Sequence, residues 1–298
     1  MNNLVHTTPR TLGAAQPIGP LAFGCWRLVN MPVAEAQALV ETALDLGMNL
    51  VDNADVYGLD WGGDAFGAAE ALLGDVLATA PALRERMVLA TKGGIIPGIP
   101  YDSARLKAAC EASLERLKVE QVDLYQIHRP DLLAHPEETA RVLEDLVASG
   151  KVREVGVSNF QPSQTRALAH YLNRPLVSQQ FEYSALAWQP LFDGVFDQCL
   201  ELGMTVLAWS PLAGGRLGDS TGLAPELAGV LEELAAREAV DISTIALAFT
   251  LAHPSRPVPI LGTTRPQRLQ AAQRALQVHL DRADVYRILQ TAMGEALP

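Results

Sequence analysis

The chain has 298 residues, 49% of them apolar, and a formal net charge of -11. That length suits one α/β barrel, and the apolar half can fill a large core, unlike a disordered chain. An acidic surface with no Lys or Arg run to offset it excludes nucleic acid as a general partner, while three scattered cysteines (Cys25, Cys110 and Cys199) fit neither a disulfide framework nor zinc-ligand spacing.

The cysteine usage fits a reducing compartment, so a cytoplasmic protein is expected. The segment Met1 to Gly13 is polar and carries no apolar core of a signal peptide. No run of eighteen apolar residues occurs, so no membrane partner is expected.

In chain order, Leu4 to Pro20 holds turn residues and is expected to form a hairpin over a barrel bottom. Eight short apolar runs follow: Leu21 to Cys25, Asn49 to Asn53, Met87 to Thr91, Val122 to Ile127, Val152 to Val157, Leu176 to Gln180, Met204 to Trp209 and Val258 to Leu261. Each is followed by an amphipathic stretch, with longer inserts near the end. Short buried runs alternating with helical periodicity predict parallel βαβ units with right-handed crossovers. The expected fold class is α/β, a (β/α)8 TIM barrel, with 1–298 as a single domain.

Helix punctuation supports the alternation. Pro32 and Pro136 stand where a helix begins and a missing N–H costs nothing. Asp102 is placed to cap the face Leu106, Cys110, Leu114 and Leu117. Glu137 and Glu138 suit a first turn, where the helix dipole favours negative charge. Gly47, Gly150 and Gly203 each separate a helical pattern from the next strand, as a residue ending a helix in left-handed conformation should. Leu212 to Pro225 is Gly-rich and is read as a long functional loop. An open doubly wound sheet would carry a Gly-rich turn after its first strand, but Trp26-Arg27-Leu28-Val29-Asn30 stands there.

Barrel chemistry sits at the C-terminal ends of the strands. Those ends carry Asp52 and Tyr57, Lys92, His128, Ser158 and Asn159, Gln180, and Trp209. Carbonyl reduction needs a hydride donor and a proton donor near the carbonyl oxygen. A free tyrosine titrates near ~10, poorly matched to proton transfer at neutral pH, and a neighbouring ammonium favours the phenolate. Lys92 can supply that charge, Asp52 can hold it, and His128 can hydrogen-bond the substrate oxygen. Taken singly, the pair Asp52 and Lys92 could be a structural plug, His128 a core histidine and Tyr57 a turn residue. Their arrival together on consecutive strand ends favours chemistry.

Val51-Asp52-Asn53-Ala54-Asp55-Val56-Tyr57-Gly58, Thr91-Lys92, Ile127-His128-Arg129-Pro130 and Gly150-Lys151-Val152-Arg153 through Gly156-Val157-Ser158-Asn159-Phe160 occur in order. Over nearly the whole length the chain thereby resembles the aldo-keto reductase family, in the branch of bacterial oxidoreductases of undefined substrate. The resemblance implies that Asp52, Tyr57, Lys92 and His128 are catalytic, with Tyr57 as general acid/base. It implies NADP(H) as cofactor and a small carbonyl substrate as partner. Ser158, Asn159 and Gln180 would hold the nicotinamide carboxamide, and Trp209 would stack on its ring. Ser210, Pro211, Leu212 and Arg216 would line the pyrophosphate and ribose, with Gly24 and Trp26 bordering the nicotinamide. Gly262, Thr263, Thr264 and Arg268 match the loop that reads the adenosine 2′-phosphate. Two departures are present: Gly262 stands where many members carry a lysine, and Ala271-Ala272 replaces an adenine-contacting Glu-Asn pair.

Trp26, Trp61 and Trp188 could line a substrate pocket or pack loops. His6, His135, His170, His253 and His279 lack ligand spacing. The family resemblance suggests a monomer or weak oligomer. Two other functions fit a barrel: a slow NADPH-sensing module resembling potassium-channel β-subunits, and a metal-dependent hydrolase. The four rim residues speak against the first, and the absence of an HxH strand against the second.

Overall fold

The computed structural model describes residues 2–15, 17–59, 62–63, 65–96 and 103–297. Eight strands, β1 (Ala22–Gly24), β2 (Leu50–Asp52), β3 (Val88–Gly93), β4 (Val122–Ile127), β5 (Val152–Ser158), β6 (Ser178–Glu182), β7 (Thr205–Trp209) and β8 (Val258–Leu261), close into one barrel in sequence order. Every strand pair is parallel, including β1 with β8. Between and after them run α1 (Val33–Asp45), α2 (Ala68–Thr79), α3 (Ala82–Glu85), α4 (Leu106–Leu117), α5 (Pro136–Ala148), α6 (Pro162–Tyr171), α7 (Val195–Leu202), α8 (Pro225–Glu238), α9 (Ile242–Leu251), α10 (Pro266–Ala272) and α11 (Arg282–Met293). The chain is therefore a (β/α)8 barrel.

A strand turns its side chains to opposite faces in alternation. Here the two faces build two separate cores. Phe23, Val51, Leu89, Tyr125 and Val155 point outward into the layer shared with the helices. Ala22, Leu50, Val88, Ala90, Leu124, Leu207, Val258 and Ile260 point inward and fill the barrel. Leu12, Ala15 and Ile18 join that inner cluster. They arrive on the N-terminal hairpin, whose antiparallel bridge pairs Arg10 with Ile18. The hairpin thus closes the bottom of the barrel and leaves the opposite rim open for chemistry. Glu154 fastens it by accepting a hydrogen bond from the Ala14 amide at 2.5 Å.

The expected strands coincide with the observed ones to within one residue at each end, except that β3 ends two residues further toward the rim and β6 both begins and ends two residues later. Gly47, Gly150 and Gly203 all adopt positive φ (75°, 77° and 67°) after α1, α5 and α7, a conformation that a Cβ disfavours. His135, not an acidic residue, caps α5 by accepting from the Glu137 amide, and Glu137 and Glu138 occupy its first turn. A 3-10 turn over Ser103–Arg105 leads into α4. Asp102 and Trp61 lie outside the described residues. The connection from β7 to β8 holds two helices, α8 and α9, after the Gly-rich loop. That loop contains a short 3-10 turn, Ala213–Gly215, with left-handed Ala213 and Gly214.

Candidate active site

Inside the barrel, the inward face changes character along its length. At the bottom it is apolar, with Leu50, Val88 and Leu124. Two residues further along the same strands it becomes polar: Asp52 follows Leu50, Lys92 follows Ala90, and Gln126 and then His128 follow Leu124. The strand period alone brings these groups to one rim.

Lys92 sits at the centre, 1% exposed. Its Nζ donates to both carboxylate oxygens of Asp52 (2.8 and 2.7 Å) and to the Asn53 carbonyl (2.7 Å). It also lies 4.8 Å from the Tyr57 ring centroid and is hydrogen-bonded to the Tyr57 side chain. Burial by itself would lower the Lys92 pKa. The charges of Asp52 and Tyr57 and their hydrogen bonds outweigh it and hold Lys92 above its ordinary value. Lys92 is therefore an ammonium.

Tyr57 is half-buried on the turn after β2, its amide bonded to the Ala54 carbonyl and its own carbonyl to the Ala69 amide of α2. His128 meets it edge-on, with ring centroids 6.0 Å apart at 81°. Burial, then the charges of Lys92 and Arg129, push the His128 pKa well below its ordinary value, so the imidazole is neutral. Its Nδ1 is buried without a hydrogen-bond partner.

On the far side of the rim, Asn159 is held in left-handed conformation (φ 59°). Its Nδ2 donates to the His128 carbonyl (3.1 Å) and to Ser158 Oγ (2.9 Å), and its Oδ1 accepts from Trp209 Nε1 (3.2 Å). Trp209 is half-exposed. Gln180 is buried and engaged at both ends: its Nε2 donates to Asp52 (3.2 Å), and its Oε1 accepts from Gln126 (2.9 Å). One N–H and one oxygen lone pair remain for anything outside.

Gly24 is buried on β1, where a Cβ would meet Ile260 at 2.7 Å. Trp26 is half-buried with the Arg27 guanidinium 5.6 Å from its ring. After β7, Ser210 is left-handed (φ 49°), Pro211 is buried and Leu212 half-buried. Arg216 is exposed, bonded to the Ala213 carbonyl, and near enough to Glu182 to act on it. Burial still keeps the Glu182 pKa raised. After β8, Gly262 and Thr263 are half-buried, whereas Thr264 and Arg268 are exposed. Thr263 Oγ1 accepts from the Arg265 amide (3.2 Å).

Two participants escaped the sequence: the Asn53 carbonyl, which accepts from Lys92, and Gln126, which donates to Gln180. Gln126 had a signal, because it stands two residues before His128 on one strand and must share its face. Trp188 packs edge-on against Phe192 (5.7 Å) and belongs to loop packing. His253 is half-buried, its ring against Phe196 with centroids 4.0 Å apart. Among the described residues, no group of three or more His, Cys, Asp or Glu side chains could hold a metal ion, and no helix is long and apolar enough to cross a membrane.

The family model for the aldo/keto reductase family matches residues 20–292. The chain is 49% identical over 286 residues to a 6-dehydroglucose reductase of Novosphingobium aromaticivorans, covering 94% of each chain. It is 36% identical to a 6-dehydroglucose reductase of Agrobacterium fabrum, covering 92% of this chain and 94% of that one. A crystal structure of a thermostable aldo-keto reductase bound to the inhibitor epalrestat superposes with a TM-score of 0.81 at 27% identity, covering 95% of this chain and 99% of that one. Another, an aldo/keto reductase from Klebsiella pneumoniae with NADP and acetate, gives 0.79 at 24% identity, covering 95% and 94%, and bears on the fold alone. The barrel, its polar rim and this likeness over nearly the whole length agree: the chain belongs to the aldo/keto reductase family and is an oxidoreductase.

Proposed function

We propose that the protein is an NADP(H)-dependent carbonyl reductase in which Tyr57 donates the proton to the carbonyl oxygen. The observation that carries this reading is the half-buried Tyr57 phenol wedged between a buried ammonium and a neutral imidazole. The Lys92 charge favours loss of the phenol proton, and Asp52 keeps that charge in place. His128, being neutral, offers an N–H to the substrate oxygen without adding a second cation. In the reduction, the carbonyl carbon gains a hydride and its oxygen gains the Tyr57 proton, giving an alcohol.

The rim residues fit such a cofactor. Trp209, half-exposed and held by Asn159, offers an indole on which a flat ring can stack. Ser158, Asn159 and the spare capacity of Gln180 suit a carboxamide. Ser210, Pro211, Leu212 and Arg216 border the path a pyrophosphate would take, with Gly24 and Trp26 at its reacting end. Gly262 leaves room beside β1, and the Thr263 and Thr264 hydroxyls with the exposed Arg268 fork suit a 2′-phosphate. NADP(H) would supply the hydride. The substrate is a small aldehyde or ketone. Because two relatives carry the name 6-dehydroglucose reductase, a sugar aldehyde of that kind is the first to try. Residues 1–298 act as a single domain, working as a monomer or weak oligomer.

The test follows NADPH absorbance with 6-dehydroglucose and with 4-nitrobenzaldehyde, for the wild type and Tyr57→Phe. The variant should lose about 10²- to 10⁴-fold in kcat. Arg268→Ala should weaken NADPH binding and leave NADH binding unchanged. A Tyr57→Phe enzyme as fast as the wild type would sink the assignment.

A further inference from the structure

We infer that Ser178, Gln126 and Gln180 form a one-way hydrogen-bond relay that positions Asp52, and through it Lys92 and the Tyr57 phenol, making Gln126 a positioning residue for proton transfer. This rests on the role of Tyr57 proposed above.

The chain of contacts is continuous. Ser178 Oγ donates to Gln126 Oε1 (3.1 Å), Gln126 Nε2 donates to Gln180 Oε1 (2.9 Å), and Gln180 Nε2 donates to Asp52 Oδ2 (3.2 Å). All four side chains are at most 2% exposed. Water therefore cannot substitute for a missing partner at low cost.

Amide orientation is fixed by chemistry at one end. Asp52, ion-paired with Lys92, can only accept, so Gln180 must turn its NH2 toward it. That leaves the Gln180 oxygen facing Gln126, which must offer its own NH2. The Gln126 oxygen then faces Ser178, whose hydroxyl rotates to donate. Every dipole in the chain points its positive end toward Asp52. Aligned hydrogen bonds strengthen one another, on the order of 10–30% per bond.

Room for the relay is built into the backbone. A Cβ on Gly156 of β5 would meet Ser178 Oγ at 2.1 Å and Gln126 Cγ at 3.3 Å. The strand between the two partners thus lacks a side chain where they meet.

The consequence for the proton donor has a sign. The positive end of the Gln180 amide partly offsets the Asp52 charge as felt at Tyr57. Without it, the surroundings of the phenol become more negative and the phenol becomes a weaker acid. The charged and titratable groups facing Tyr57 are Asp52 on β2, Lys92 on β3 and His128 at the end of β4, with Arg129 beyond it and Asp55 in the same loop.

The experiment measures kcat, KM and the pH profile of carbonyl reduction for Gln126→Met, Gln126→Glu and Ser178→Ala, alongside Tyr57→Phe. Gln126→Met should lower kcat about tenfold with KM little changed. The high-pH limb should move up by roughly half a unit. Gln126→Glu should approach wild-type rates at low pH, where the new carboxyl is protonated and still donates to Gln180. Its rate should fall as that carboxyl ionises and the relay reverses. Ser178→Ala, which removes only the first donor, should give a smaller loss and a smaller shift, and it carries the test if the Gln126 variants fail to fold. Profiles that superimpose on the wild type, with kcat within twofold while Tyr57→Phe is inactive, overturn the relay and leave the Tyr57 assignment standing. An active Tyr57→Phe overturns the assignment itself.

Discussion

Asp55 stands two residues before Tyr57 and is 1% exposed. Burial first, then the charge of Glu70, raises its pKa to about 8, against a partial pull downward from Arg116 and from the backbone amides of Gly94 and Val56. The folded protein therefore keeps a proton there that the unfolded chain releases near ~4. Between those two values the folded state binds more protons, so stability from this group falls as pH rises and levels off above about 8. Asp55→Asn, uncharged at every pH, should flatten that decline and melt several degrees higher than the wild type at pH 9, on the order of a few kcal/mol. Thermal melts of both proteins between pH 5 and pH 9 decide it. Parallel curves would mean that Asp55 titrates normally.

Elements are short here, and their ends matter more than their middles. β1 and β2 are three residues each, so each contributes one or two inward side chains and no more. The last helix before β8 depends on its cap. Asp241 accepts from the Thr244 amide, the Thr244 hydroxyl and the Ser243 hydroxyl, all at 2.7 Å. Burial would raise its pKa, but those hydrogen bonds and the Arg274 charge hold it below the ordinary value. Its stabilisation is present above the unfolded pKa and is lost as pH falls through the folded one. Asp241→Ala should cost about 1 kcal/mol at pH 7, with a smaller gap in acid, while kcat stays unchanged. Denaturant titrations at pH 7 and pH 3.5 measure both. An equal cost at the two values would remove the carboxylate from the account.

Over the whole molecule, the two ends of the barrel divide the work. The bottom is sealed by Leu12, Ala15 and Ile18 from the hairpin, and the top carries Asp52, Lys92 and His128. Leu12 is fully buried in the inner cluster. Leu12→Ala should therefore cost roughly 2–5 kcal/mol through the cavity it leaves. Turnover below the melting temperature should be unaltered, because the site lies at the other end. A loss of kcat at 25 °C without a loss of stability would show that the plug reaches the rim.

Local order made the alternation of strands and helices legible in the sequence, because period two, period 3.6 and the glycines that end helices are properties of neighbouring residues. The same periodicity fixed which residues share the inward face, so Asp52, Lys92 and His128 could be placed on one rim before any coordinates. The barrel and a hairpin over its bottom are expected from the sequence, but which hairpin side chains seal it and that two helices lie between β7 and β8 depend on contacts far apart in sequence. So does the commitment of Gln180. Its amide could turn outward or inward, and only the barrel, by bringing Gln126 and Asp52 to its two ends, decided which.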